Sequence, residues 1–194
     1  MDFATRKPNE FRDKFVNGYG LGGITRGLDI DKPLIAAING YAVSGGLEIA
    51  LACDLRFCSE TAKFGLQDVK WGFHACDGAL VRLPHIVGMG ATMELVLSGE
   101  LINAEHALKI NLVNKIYPNN SLLEKTLEYA HLLNKRAPLA IKFAKQTLRN
   151  TVSMPIEDAL RHEVRSFYDL GQSEDLAEGT RAFRERREAK FKGR

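Results

Sequence analysis

Hydrophobic and polar positions change texture along this chain. The first thirty residues are polar and punctuated by glycine, with one short amphipathic stretch around Phe11 to Val16 and no strong strand pattern. From Lys32 the pattern turns apolar. PLIAAING is a compact run between Pro33 and Asn39-Gly40, which predicts a buried strand ending in a turn. YAVSGG then carries the chain to a new element, and Gly46 to Ala52 is predicted helical with Ser44 as its cap. LRFCS and AKFGL cluster or alternate like two short strands. The predicted order is strand, helix, strand, strand, a succession that suits stacked α/β units.

Downstream the periodicity becomes helical and stays so. Ser121 and Glu124 form a capping-box pattern ahead of Leu123, Leu127, Ala130 and Leu133 at three- and four-residue spacing. Pro138 marks the next boundary, and LAIKFAKQTLRN reads as a further helix. Ser153 is the expected cap of another that starts near Pro155 and carries Ile156, Leu160, Val164 and Phe167 on one stripe. Ser173 opens the last, with Glu174 and Asp175 in its first turn, where the helix dipole favours negative charge. The pattern divides the chain into an α/β part over 1–120 and a helical part over 121–194. Those helical stripes need a core, either within the chain or on another subunit.

Composition narrows the class. With 194 residues, 45% hydrophobic and 26% charged, the chain is long enough to bury a core. A formal charge of +3, from 27 Lys and Arg against 24 Asp and Glu, lacks the basic footprint of a nucleic-acid binder. Cys53, Cys58 and Cys76 form no CxxC pair and are odd in number, so neither a disulfide framework nor a zinc or other metal site is indicated. No eighteen apolar residues run together, and the opening MDFATRKPNEFRDK has no apolar core of signal-peptide length. These features lead to the expectation of a cytoplasmic protein that does not use a membrane.

The stretch VSGGLEIALACD, residues 43–54, raises the chemical question, because Glu48 sits in the first turn of an otherwise apolar segment. Glycines at a helix entrance, here Gly45 and Gly46, let ligand atoms approach the backbone, and the first-turn amides are unpaired donors in a positive field. Such amides can hold a developing oxyanion, and a carboxylate in the same turn can serve as a base or acid beside them. A first-turn acid also fits a plain dipole-complementing role. A second acid, Asp68 in FGLQDVKWG, is expected to end a short strand ahead of Gly72. Two carboxylates facing one water would suit addition or removal of water, and a lone Asp in a turn is also a common structural feature. GYGLGG, residues 18–23, has no preceding strand and no phosphate-loop lysine after it, so it reads as a loop. The basic run RAFRERREAKFKGR reads first as a solvated helix face and second as a phosphate-binding edge.

KPLIAAINGYAVSGGLEIALACDLRF, FGLQDVKWG, RLPHIVG, ELVLSGELINAEHALKINLVNKI, APLAIKFAKQTL and SEDLAEGTRAFRERREAKFKGR, in that order, resemble the enoyl-CoA hydratase/isomerase (crotonase) family. The likeness extends from Gly18 onward and leans toward the hydratase and carnitinyl-CoA dehydratase branches. The resemblance implies an α/β spiral of strand-strand-helix repeats followed by a helical region, a homo-oligomer (trimer or dimer of trimers), and an acyl-CoA thioester as substrate. No cofactor is implied, CoA being part of the substrate. It implies that the Gly45 amide is one of two oxyanion donors, with Gly46 and Gly72 beside the substrate. It implies that Glu48 activates water at the β-carbon and that Asp68 exchanges the proton at the α-carbon. Phe183 and Arg186 match positions that approach the CoA nucleotide bound by a neighbouring subunit. A double-bond isomerase and a weakly active partner of longer relatives are the alternative readings.

Three departures from the family pattern accompany this. The position of Asp68 is usually Glu, and the missing methylene draws the carboxyl back from substrate. FHACDGALVRL replaces the usual proline and glycine-rich turn after Gly72, so His74, Cys76 and Asp77 are expected to line or fill the acyl pocket. Cys76 is expected to be a packed thiol, and Asp77 an alternative acid. Relatives also carry further strand-strand-helix units, with the first oxyanion amide, ahead of the GYGLGGITR region. The chain therefore reads as N-terminally truncated, and a lost oxyanion donor costs about 2.7–4 kcal/mol.

Overall fold

The computed structural model describes residues 16–27 and 29–194, which leaves most of the amphipathic stretch around Phe11 to Val16 outside the described residues. The strand expected from PLIAAING is β1 (Ile35–Ile38). After the Asn39-Gly40 turn comes β2 (Tyr41–Val43), so YAV is a strand rather than a connector. It is one because it has a partner: Tyr41, Ala42 and Val43 pair parallel with Lys63, Phe64 and Gly65, and Ala42 is buried. Helix α1 (Gly45–Ala52), β3 (Leu55–Ser59) and β4 (Lys63–Gly65) follow. The order is thus strand, strand, helix, strand, strand.

That order winds the chain. β1 pairs parallel with β3, with Ile35 opposite Leu55 and Ile38 opposite Cys58, while β2 pairs parallel with β4. Parallel neighbours require a crossover connection, and here the two crossovers are interleaved through one helix. Each strand-strand-helix unit therefore makes one turn of a spiral, with its first strand in one sheet and its second in the other. β6 (Lys115–Tyr117) extends the first sheet parallel to β3, and β5 (Ile102–Asn103) closes on β4 antiparallel. Asp54, the acid that ends the apolar run, is structural: its Oδ2 accepts from Leu34 N at 2.7 Å and fixes the chain where β1 begins.

Between the sheets and the helices lies the core. Leu47 and Leu51 of α1 join Phe64 and Leu66, Leu83 and Leu95 of α2 (Ala79–Ser98), and Ala104 and Ala107 of α3 (Ala104–Lys109). Truncating a fully buried leucine such as Leu47 or Leu83 to alanine would cost about 2–5 kcal/mol. The sequence pattern did not reveal α2, because Pro84 and Gly88 punctuate it. Gly88, at φ 80° and ψ 163°, leaves the helical region, so α2 is two helical pieces meeting at a glycine.

Contacts divide the chain into two compact units, one comprising residues through Asp29 together with Leu34–Thr126, the other Ile30–Pro33 together with Leu127–Arg194. Helix α4 (Leu122–Asn134) spans the division. In the second unit α5 (Pro138–Thr151) packs along α6 (Ile156–Leu170), with Thr147 Oγ1 2.8 Å from Ser166 Oγ. Lys145 and Gln146 of α5 hold the 30–33 segment by bonds of 2.7 and 2.8 Å to Lys32 O and Asp31 Oδ1. The last helix, α7 (Glu174–Glu185), is capped as expected: Ser173 Oγ accepts from Leu176 N at 3.2 Å. Other caps differ. Pro155, whose fixed φ suits a helix entrance, stands at the N-cap of α6 in place of Ser153. Ser121 donates its hydroxyl to Pro118 O at 3.2 Å. No residue of α6 is buried, and Ile156, Leu160, Val164 and Phe167 are 70%, 49%, 67% and 64% exposed.

Candidate active site

The entrance to α1 is built on an unusual serine. Ser44 holds the N-cap position at φ 49° and ψ −118°, a left-handed conformation that an L-residue adopts at a cost, and its side chain makes no capping bond. The expected side-chain cap is thereby corrected, since N-cap residues ordinarily sit in the extended region from which the hydroxyl reaches the first turn. The backbone compensates. Ser44 N donates to Gly65 O at 2.9 Å, and Ser44 O accepts the first helical bond from Glu48 N at 3.0 Å. Helix geometry therefore leaves the amides of Gly45, Gly46 and Leu47 without intrahelical acceptors. A Cβ on Gly45 would come within 2.8 Å of Leu21 Cδ1, so the missing side chain is what lets Leu21 lie against this backbone.

Glu48, 3% exposed, is held from one side. Its Oε1 accepts from Asp77 N at 2.5 Å and from Ala79 N at 3.2 Å. Burial raises its pKa above the ordinary value, the two amides pull it down, and the charges of Asp77 and Asp68 push it up again, with a net rise. Dipole complementation alone would leave such an acid in solvent; this one is buried, fixed and close enough to Asp68 to feel its charge.

Asp68 does not end a strand. β4 stops at Gly65, where its pairing with β2 ends opposite Val43, and Asp68 falls in the first turn of a 3-10 turn, Gln67–Trp71. It is 6% exposed, and its Oδ2 is buried without a hydrogen-bond partner among the described residues. An unsatisfied buried polar atom costs about 1–3 kcal/mol, so it needs an explanation outside folding. Gly72 closes the turn at φ 82°, a left-handed position that favours glycine, and is itself exposed.

The segment after Gly72 sorts into different roles from those expected. His74 is exposed. Cys76 is exposed rather than packed, and its thiol is raised by burial of the sulfur and by the charges of Glu48 and Asp77, which disfavours a nucleophilic thiolate. Asp77 is fully buried. Its carboxylate accepts from Leu21 N, from the Thr25 hydroxyl and, at 2.6 Å, from Arg26 Nε. Burial alone would raise its pKa; the bonds from Thr25, Leu21 and Arg26 outweigh that and hold it below the usual range. It is therefore a fixed anion and not the alternative acid. The sequence pattern missed this role, and the only signal for it was an acid standing where the family has small residues.

Phe183 and Arg186 lie in the second unit. Phe183 is 86% exposed on α7, and Arg186 is its C-cap at φ 55°, outside the helix proper. The basic run is correspondingly not one helix face. From Arg186 it turns back along α7, where Arg187 grips Glu178 with bonds of 2.6 and 3.0 Å and the Asp175 carboxylate accepts from Lys192 N and Gly193 N. Arg187 and the Lys190 amide hold the Glu178 carboxyl down to about 2.

Known proteins share this chain's family and fold. The family model described as Enoyl-CoA hydratase/isomerase matches residues 6–194. A carnitinyl-CoA dehydratase of Salmonella heidelberg is 39% identical over 197 residues, covering the whole of this chain and 76% of that protein. Among solved structures, an enoyl-CoA hydratase from Bacillus anthracis superposes with a TM-score of 0.91 at 30% identity, over 98% of this chain and 73% of that one. An enoyl-CoA hydratase structure from Geobacillus kaustophilus gives 0.90 at 35% identity, over 98% and 72%.

Proposed function

This chain belongs to the enoyl-CoA hydratase/isomerase family, and from that premise we propose that it adds water to, or removes it from, an α,β-unsaturated acyl-CoA thioester at the Gly45, Glu48 and Asp68 site. The observation that carries this reading is the pair of buried carboxylates, one of them with an oxygen that has no hydrogen-bond partner among the described residues, together with helix-entrance amides that have no intrahelical acceptors.

Hydration places negative charge on the thioester oxygen as water attacks the β-carbon. The Gly45 amide, at the positive end of α1, is the donor for that oxygen. Glu48 takes the proton of the attacking water: its Oε1 is occupied by two amides, which leaves Oε2 for that proton. Asp68, in its protonated form, delivers its proton to the α-carbon through the Oδ2 that has no hydrogen-bond partner among the described residues; the proton that Glu48 takes from water returns to Asp68 after turnover, and the reverse sequence removes water. Burial suits both steps, since a dry site strengthens charge stabilisation. Gly46 and Gly72 leave room beside the thioester. Phe183 and Arg186, exposed on the second unit, belong to the CoA nucleotide of a neighbouring subunit in a homo-oligomer, and the uncovered stripe of α6 supports such an assembly.

The test is turnover of a short α,β-unsaturated acyl-CoA by the chain and by Glu48→Gln. General acid-base catalysis contributes about 100- to 10,000-fold, so Glu48→Gln should lose at least about 100-fold in kcat with little change in binding. Undiminished turnover would remove Glu48 from the mechanism.

A further inference from the structure

The glycine-rich GYGLGG segment takes no part in the reaction above. In the structure it meets Asp77. Leu21 N, at 2.5 Å, and the Thr25 hydroxyl donate to Asp77 Oδ2, and Arg26 Nε donates to Oδ1. Arg26 also donates to Cys76 O at 2.5 Å, and Arg82 reaches Thr25 O at 2.5 Å from α2. One buried carboxylate thus gathers a loop from more than fifty residues earlier in the chain. Two glycines make this possible. A Cβ on Gly20, at φ 72°, would stand 2.1 Å from Thr25 Oγ1 and 2.7 Å from Asp77 Oδ1, and a Cβ on Gly78, at φ 114°, would strike Arg82.

The same residue faces the candidate site with its backbone. Asp77 N donates to Glu48 Oε1, and Leu21, held by the Asp77 carboxylate, lies against Gly45. We propose that Asp77 is a positioning residue: its carboxylate ties the Gly20–Arg26 loop down, and the tie fixes both the amide that orients Glu48 and the side chain that covers the Gly45 backbone. The catalytic half of this rests on the hydration reading; the tie itself does not. Asp77 touches neither water nor thioester in this scheme, so it acts through Glu48 and Gly45. Small displacements of reacting groups are costly, which is how a residue without chemistry of its own affects rate.

The experiment is made on the full chain with two readings, amide hydrogen exchange at Leu21 and steady-state turnover of a short α,β-unsaturated acyl-CoA. Asp77→Asn should speed Leu21 exchange by about 10-fold or more, because a charge-assisted bond is lost, and should lower kcat by about 10-fold with KM nearly constant. Thr25→Val, which removes one donor and keeps the charge, should move both readings the same way by less, and Thr25→Ser should lie nearer the wild type than Thr25→Val. If Asp77→Asn does not fold, the two Thr25 variants decide. Unchanged Leu21 exchange in a folded Asp77→Asn protein would overturn the tie. Faster exchange with unchanged kcat, or a loss confined to KM, would overturn the positioning role. Absence of turnover in the wild type would instead sink the hydration reading, and the exchange rates would then settle the tie alone.

Discussion

Glu48 carries its charge against burial and against two neighbouring acids, and this has consequences that pH can reveal. The base must be ionised to accept a proton from water, and its folded pKa is raised, so the acid limb of kcat/KM should fall off above pH 4.5, the ordinary glutamate value. An acid limb at or below that value would remove Glu48 as the titrating base. Stability runs the other way. A raised folded pKa contributes stability that is complete below the unfolded value and lost as pH rises through the folded one. Glu48→Gln should therefore raise the thermal midpoint near neutral pH, by about 2–4 °C for each 1 kcal/mol of relieved burial. Asp77 has the opposite sign: its lowered pKa supports the fold above pH 3.8, and that support is lost as pH falls through the folded value. Ser44 offers a cleaner probe of strain. Ser44→Gly admits φ 49° without a side chain and should stabilise by roughly 1 kcal/mol, the gain from relieved strain exceeding the entropy cost of glycine. A fall in midpoint would show that the serine side chain contributes more than its backbone costs. At this scale Glu48 and Gly45 were legible because both lie within one helical turn, whereas the partners of Asp77 are 51 to 56 residues away and leave no local pattern.

Helices and strands were legible in proportion to how local their causes are. α4 follows from amphipathic spacing, and α7 from the Ser173 cap with Glu174 and Asp175 in its first turn. β2 has no local signature, because its three residues become a strand only through pairing with β4. α2 hid behind Pro84 and Gly88, which sequence reasoning treats as breakers and the fold accommodates as a junction between two helical pieces. The element whose sequence and structure most plainly demand a partner is α6. Its stripe of Ile156, Leu160, Val164 and Phe167 repeats at helical spacing and remains exposed in the chain. Apolar surface of that extent ordinarily marks an interface. In light scattering at micromolar concentration the protein should have the mass of a homo-oligomer, a trimer on the family resemblance. Replacing Leu160 and Val164 together by Glu should shift that mass toward the monomer while the helix signal persists. An unchanged mass in the double variant would place the interface elsewhere.

As a whole the chain spans about three quarters of a carnitinyl-CoA dehydratase and closely follows the fold of solved enoyl-CoA hydratases. Family membership supplies the chemistry of adding or removing water. Asp68→Glu should raise turnover if the shorter side chain holds the carboxyl back from the α-carbon, and a fall would mean that the pocket has adapted to aspartate. In the proposed reaction water itself becomes part of the product under the control of Glu48. The most direct measurement is mass spectrometry of the acyl-CoA formed from a short α,β-unsaturated substrate in water enriched in the heavy oxygen isotope. The wild-type chain should give a product with one heavy oxygen in its β-hydroxyl, and Glu48→Gln should give almost none. A product whose double bond has moved without taking up heavy oxygen would contradict the proposed reaction.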